Sequence, residues 1–258
     1  MRNTTPASRN GARWAAVALV FGLCLADAAS TSAYAQEAQP VTSTSVPSET
    51  LSAKQRAIIP IAAFAAVGDM HQLNAALNRG LDAGLTLSDA KEVLVQLYAY
   101  AGFPRSLNAL GELMKVVDAR KQRGVHDDPG RAPRRPIPKG EALLAAGTAN
   151  QTQLAGSPVK GPLFEFAPAI DEYLKTHLFG DIFARDNFDW QSRELATVGV
   201  LAALQGVESQ LYSHVSISLN VGLTAAQLRQ AGEVLSEQVN PEAGARARQA
   251  LERRLAAK

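Results

Sequence analysis

Four side chains in the second half of the chain have the types and spacing to move a proton beside a bound anion. His214 stands in GVESQLYSHVSISLNVGLT, from Gly206 to Thr224, and an imidazole exchanges protons near neutrality. Arg193 is a permanent cation whose planar fork suits a carboxylate. Glu194 and Glu208 are candidates for orienting the imidazole, as carboxylates do for catalytic histidines. Gln210, His214 and Ser218 share one helix face at four-residue spacing, which makes Gln210 a candidate for substrate binding. Glu208 precedes His214 on the same helix, roughly 120° around it. Glu194 falls on the preceding antiparallel helix and can face His214 across the pair, so it is favoured, with Glu208 left open. His71 and His177 read as surface residues and His126 as part of a linker. No pair has metal-ligand spacing, and no metal is expected.

These side chains need helices to hold them. LSAKQRAIIPIAAFAAVGD carries an Ala-rich apolar stripe, with Pro60 as a kink or first-turn residue. MHQLNAALNRGLDAG keeps Leu73, Leu77 and Leu81 in step and ends at Gly84 as a helix cap. Thr86 or Ser88 caps a third helix, KEVLVQLYAYAGF, apolar nearly all round and so central to the core. Tyr98 and Tyr100 flank its Gly-Phe-Pro turn, where they can line a pocket. Pro104 breaks the helix, and a fourth is expected to turn Leu107, Leu110, Met114 and Val117 inward. HDDPGRAPRRPIPK, from His126 to Lys139, reads as a solvated linker. A second helical region follows: a short helix and turn from Glu141, an amphipathic stretch from Phe166, helices around His214 and from Gln227 to Val239, and a charged C-terminal helix after Asn240-Pro241. No stretch alternates with period two, so the fold class is all-α.

The N-terminus predicts export. Arg2, Arg9 and Arg13 precede an apolar run from Trp14 to Ala26, and Ala33-Tyr34-Ala35 supplies a cleavage site. The mature chain then starts at Gln36 and is periplasmic or secreted, with no stable membrane anchor. Residues 36–50 form a Ser/Thr/Pro-rich flexible leader. Three of the 26 Lys and Arg and one of the 24 Asp and Glu lie in the signal, which leaves 23 of each. The apparent net charge of +2 vanishes, and with it any global-charge argument for nucleic-acid binding. The single cysteine, Cys24, lies in the apolar run behind Leu23, where lipidation wants a small residue. The mature chain therefore has no thiol for disulfide, nucleophilic or metal chemistry. With 47% hydrophobic and 19% charged residues it is globular.

The chain repeats itself. Arg56 to Gly84 and Arg193 to Gly222 share the order Arg, apolar helix, Gly, polar helix, then Gly-Leu-Thr. Arg56 and Arg193 stand 137 positions apart and Gly68 and Gly206 stand 138 apart. Where repeat two has His214, repeat one has Ala76. We expect two tandem helical units, 51–125 and 141–240, joined by a linker at 126–140, followed by a C-terminal helix at 241–258 and packed as an intrachain pseudo-dimer.

DWQSRELATVGVLAALQGVESQLYSHVSISLNVGLTAAQL, from Asp189 to Leu228, and AGLTLSDAKEVLVQLYAYAGFPRSLNAL, from Ala83 to Leu110, resemble the carboxymuconolactone decarboxylase family in tandem form. FAPAIDEYLKTHLFGDIFARDNFD, from Phe166 to Asp189, resembles the segment before that core in the decarboxylase branch. The likeness runs from about Leu51 to Val239. It implies all-helical units that assemble into a homo-oligomer, a trimer or similar ring. The family's alkylhydroperoxidase D-like branch uses a Cys-x-x-Cys pair four residues before a histidine. Here Val207 and Gln210 take those places, so thiol peroxidase chemistry is excluded. In the decarboxylase-like branch, His214 resembles the retained active-site residue. Asn108 and Asn150 stand where that branch carries further histidines, and Asn108 is kept as a substrate-binding candidate. The resemblance implies cofactor-free decarboxylation of a small lactone carboxylic acid by a carboxy-lyase. A non-catalytic or ligand-binding oligomer of the same fold is the alternative.

Overall fold

The computed structural model describes residues 48–257. The predicted signal peptide, its Cys24 and most of the leader lie outside them. Every regular element among the described residues is helical. None is long and apolar enough to cross a membrane.

Repeat one opens with α1 (Ala53–Val67). Ser52 accepts from Gln55 N while the Gln55 side chain accepts from the Ser52 backbone, a reciprocal cap that satisfies two otherwise orphaned donors. The helix runs unbroken through Pro60, which has no N–H to offer the Arg56 carbonyl. From Ile58 to Ala66 it is buried on all sides. Next comes α2 (Met70–Asp82), whose inner face is Leu73, Ala76, Leu77 and Leu81. Then α3 (Leu87–Gln122) folds back on itself. Gly102 sits at φ 81° and ψ 161°, a conformation open essentially to glycine alone. Ser106 Oγ reaches the Leu94 carbonyl at 2.7 Å, twelve residues away, which in a straight helix would be about 18 Å along the axis. The element is thus a hairpin of two arms, 87–101 and 103–122.

The second arm corrects one expectation. Ser106, Ala109, Leu113, Val116 and Arg120 face inward, while Leu107 and Met114 are 62% and 68% exposed. Leu110 and Val117 are half-buried against the core, as expected, so only half of the apolar stripe turns outward. The inward positions include polar residues made tolerable by partners: Ser106 through Leu94, and Arg120 through Asp127 and Asp82 at 2.8 Å each. The linker is exposed over most of its length, as expected, yet it is tied down. Leu87 N donates to the Asp128 carbonyl, Ser88 Oγ to the Arg131 carbonyl, and Arg134 N to Asp186.

Beyond the linker, α4 (Glu141–Ala155) is a full helix rather than a short one. The amphipathic stretch breaks into α5 (Pro162–Phe166), α6 (Pro168–Tyr173) and a π-helical segment, Leu174–Ile182. Repeat two continues with α7 (Trp190–Ala203), α8 (Glu208–Asn220) and α9 (Ala225–Gln238), and the C-terminal helix α10 (Pro241–Ala256) follows. The main core forms where α1 crosses α7. A Cβ on Gly199 would lie 2.7 Å from the Ile59 carbonyl oxygen, so this crossing needs glycine. Around it the halves pack reciprocally: α1 against α9, and α3 against α7. A smaller core of Leu154, Leu178, Phe179, Ile182, Phe183 and Ile217 backs α8 from the other side.

Candidate active site

Glu194 projects from the first turns of α7 and is fully buried. His214 projects from the middle of α8, and its Nδ1 lies 2.9 Å from Glu194 Oε2. Asp189 fixes the start of α7 by accepting from Ser192 N at 2.8 Å and from Ser192 Oγ at 2.9 Å, which sets the rotation of the helix that carries Glu194. The His214 side chain is 10% exposed. No protein hydrogen-bond partner for its Nε2 occurs among the described residues. An imidazole held at Nδ1 by a buried carboxylate keeps its other nitrogen available for proton exchange. Glu194 Oε1 is buried without a partner.

Tyr100, from the first arm of α3, presents its ring edge-on to His214 with centroids 5.5 Å apart. Burial first, and the Glu194 carboxylate second, push its phenol far up, so it stays protonated. Thr197 Oγ1 lies 3.4 Å from the Tyr100 hydroxyl and 3.0 Å from the Arg193 carbonyl, and it accepts from Gln96 Nε2 at 2.8 Å. The wall of the site therefore comes from repeat one and the histidine pair from repeat two.

Arg193 has a different setting from the one expected. Its guanidinium is wholly buried and donates to Glu92 Oε2 at 2.9 Å, to Gln96 Oε1 at 3.2 Å and to the Arg185 carbonyl at 3.2 Å. The Phe188 and Phe183 rings flank it at 5.4 Å and 6.0 Å. Successive helix positions point about 100° apart, so Arg193 reaches the α3 side while Glu194 reaches α8. Arg193 is committed to a structural ion pair and is not presented to a ligand beside His214. Glu92 is shared between Arg193 and Arg185, which lies 2.7 Å from its Oε1. Burial works to raise its pKa, but hydrogen bonds from Arg185, Asn187 and Arg193 hold it down to about 2.

The other candidates do not converge on the pair. Glu208 is exposed at the start of α8 and accepts from Gly206 N at 3.1 Å, and backbone donors lower its pKa. Gln210 is exposed and accepts from Ser209 Oγ. Asn108 is exposed on the second arm of α3. Asn150 donates to the Phe179 carbonyl at 2.8 Å and fastens α4 to the π-helical segment. Tyr98 stacks on Phe103 at 4.3 Å and sits 5.3 Å from His177, its hydroxyl buried without a partner. His177 is exposed, as read from the sequence, and pairs with Asp181 at 2.7 Å. A cavity of about 660 Å³ lies between the arms of α3 and the linker and includes neither His214 nor Glu194. No group of three metal-ligating side chains occurs among the described residues.

Sequence reasoning missed Glu92 and Gln96. Their signal is a pair of polar residues four apart on a helix otherwise apolar all round, which puts both on one face of a buried element.

Paired all-helical units, with a buried histidine–carboxylate couple under a tyrosine lent by the other unit, define a duplicated helical protein with a candidate acid/base centre; the other such couple among the described residues, His177 and Asp181, is exposed. The chain belongs to the carboxymuconolactone decarboxylase family, whose model matches residues 28–114 and again 168–253. No curated protein matches it.

Proposed function

We propose that the protein is an exported, carboxymuconolactone decarboxylase-like carboxy-lyase that decarboxylates a small lactone carboxylic acid by acid/base catalysis without a cofactor. The observation that carries this reading is the buried contact of 2.9 Å between Glu194 and His214, with Nε2 left open.

The chemistry follows from that arrangement. When the bond between the ring carbon and the carboxylate breaks, its electron pair moves into the conjugated carbonyl and CO2 departs. The resulting dienolate needs a proton at carbon. Imidazolium Nε2–H delivers it while Glu194 steadies the ring through Nδ1. The Tyr100 edge narrows the approach to the imidazole. Arg193 acts as a positioning residue, holding α7 against α3 so that Glu194 meets His214. The carboxylate-binding role read for it passes to groups outside this pair.

The commitment of Arg193 to Glu92 favours one alternative, a ligand-binding or non-catalytic oligomer of the same fold. The exposed apolar side chains Phe103, Leu107 and Met114, with Phe166 of α5 and Tyr173 of α6, support assembly into a homo-oligomeric ring. Lactone absorbance, followed with the purified protein and with His214→Ala, separates the readings. A catalytic His214 predicts a rate loss of about 10²–10⁴-fold. Equal rates remove it from the mechanism, and no turnover of any lactone acid by the unaltered protein leaves the non-catalytic reading. N-terminal mass analysis of the exported form is expected to begin at Gln36.

A further inference from the structure

Repeat one holds a cavity of about 230 Å³ at the place that mirrors the histidine pair. Arg56, Ala57, Pro60, Ala76, Arg79 and Gln238 line it. Arg56 corresponds to Arg193, Ala57 to Glu194 and Pro60 to Thr197, each 137 positions on, while Ala76 corresponds to His214, 138 on. Gln238 stands 138 positions after Tyr100. The exchange between halves is kept: Tyr100 of repeat one covers His214, and Gln238 of repeat two lines the cavity beside Ala76. Replacing an imidazole and a carboxylate by two methyl groups, on a backbone held in place by the shared core, leaves space rather than collapse.

The charge of the two places differs as much as their volume. In repeat two, Glu92 neutralises Arg193 and Gln96 supplies a further acceptor. The counterparts 138 positions on are Gln230 and Val234. Gln230 is occupied with backbone, accepting from Leu51 N at 3.0 Å and donating to the Glu49 carbonyl at 3.0 Å. Arg56 therefore lacks the carboxylate its counterpart has. Arg79, an exposed residue of α2, adds a second cation where repeat two has Ile217. Among the described residues neither arginine has an ion-pair partner, and no acidic side chain lines the cavity. Two guanidiniums over a floor of alanine and proline favour a planar carboxylate on a small apolar body.

We infer that this cavity is a binding site for a small organic carboxylate, held by Arg56 and Arg79 and separate from the histidine pair. Benzoate is the probe and isothermal titration of the purified protein the measurement. Saturable binding is expected, weakened at least tenfold by Arg79→Ala and by Arg56→Gln, abolished by refilling the space with Ala76→Leu, and unchanged by His214→Ala. Arg79 is exposed and unpaired, so Arg79→Ala keeps the fold, as a thermal melt would verify, and the assignment stands or falls on that variant. Absence of saturable binding overturns the assignment. So does full binding by Arg79→Ala, or a loss confined to His214→Ala, which would put benzoate at the other site. Inorganic phosphate is the control arm: phosphate binding as tightly as benzoate overturns the organic carboxylate as the ligand class.

Discussion

The two repeats carry the same helices in the same order, yet only one of them keeps an acid/base pair. At α7 and α8, Glu194 and His214 touch beneath Tyr100. At α1 and α2 the same places hold Ala57 and Ala76, with Gln238 beside them. The difference shows how tightly a buried charge depends on its surroundings. Arg193 is buried completely because Glu92 and Gln96 receive it. Arg56, with Gln230 and Val234 at the matching places, stays part-exposed. Absence of the couple from repeat one thus goes with a change in the whole polar neighbourhood, while a reciprocal cap is present in both halves, at Thr86 and at Thr224.

The comparison can be broken in several ways, beginning with the largest effect. Exchanging the couple into repeat one by Ala57→Glu with Ala76→His, in a His214→Ala background, is expected to restore no turnover, because Gln238 replaces Tyr100 and Arg79 intrudes. Activity that stays down by about 10²–10⁴-fold in the lactone assay agrees with this, and recovery to the unaltered rate would show the two places to be equivalent. Next, Glu92→Ala leaves Arg193 as an uncompensated buried charge and should cost about 3–5 kcal/mol in denaturant unfolding. Its counterpart Gln230→Ala removes only hydrogen bonds to backbone and should cost about 1–3 kcal/mol. Similar losses from both would dissolve the electrostatic distinction between the halves.

Glu92 also gives the protein an acid-side titration. Its folded pKa, about 2, lies below its ordinary value of 4.5. The stabilisation is therefore complete above about pH 4.5 and lost as pH falls through about 2. The difference corresponds to roughly 3 kcal/mol. Unfolding free energies measured across that window should fall for the unaltered protein and fall less for Glu92→Gln. Smallest is the effect of the reciprocal helix cap that the halves share. Thr86 and Thr224 each make a reciprocal cap, with Asp89 and Gln227. Thr86→Ala and Thr224→Ala should each cost about 1 kcal/mol by thermal unfolding, and a large inequality would mean the halves are not equally stable.

Much of the fold was legible because helices announce themselves locally. Gly-Leu-Thr at the end of α2 and α8, the Thr caps and the Ala-rich stripes need only nearby residues. The all-helical class and the tandem family match follow from them. Glu194 as the neighbour of His214 was also readable, since consecutive antiparallel helices leave few partners. The setting of Arg193 was not. Its partner Glu92 lies 101 positions earlier, on a helix that meets α7 only through the packing of one repeat on the other. The face of the second α3 arm misled for a related reason. Leu110 and Val117 of the apolar stripe do pack half-buried on the core, but the hairpin at Gly102 turns Ser106 and Arg120 inward and leaves Leu107 and Met114 exposed. The π-helical segment left no signal in the apolar periodicity.

The crossing at Gly199 has a consequence for the chain's continuity. Because α1 and α7 share one interior, and each half walls the other's site, the covalent thread between them carries little of the cohesion. The largely exposed stretch between Arg134 and Lys139 is a place where a protease could cut without parting the molecule. The two pieces would stay together as a complementing pair. Two uncut chains could equally trade halves, each lending its first repeat to the other's second, and a domain-swapped dimer built that way would keep the contacts between the repeats while its linkers take a new course.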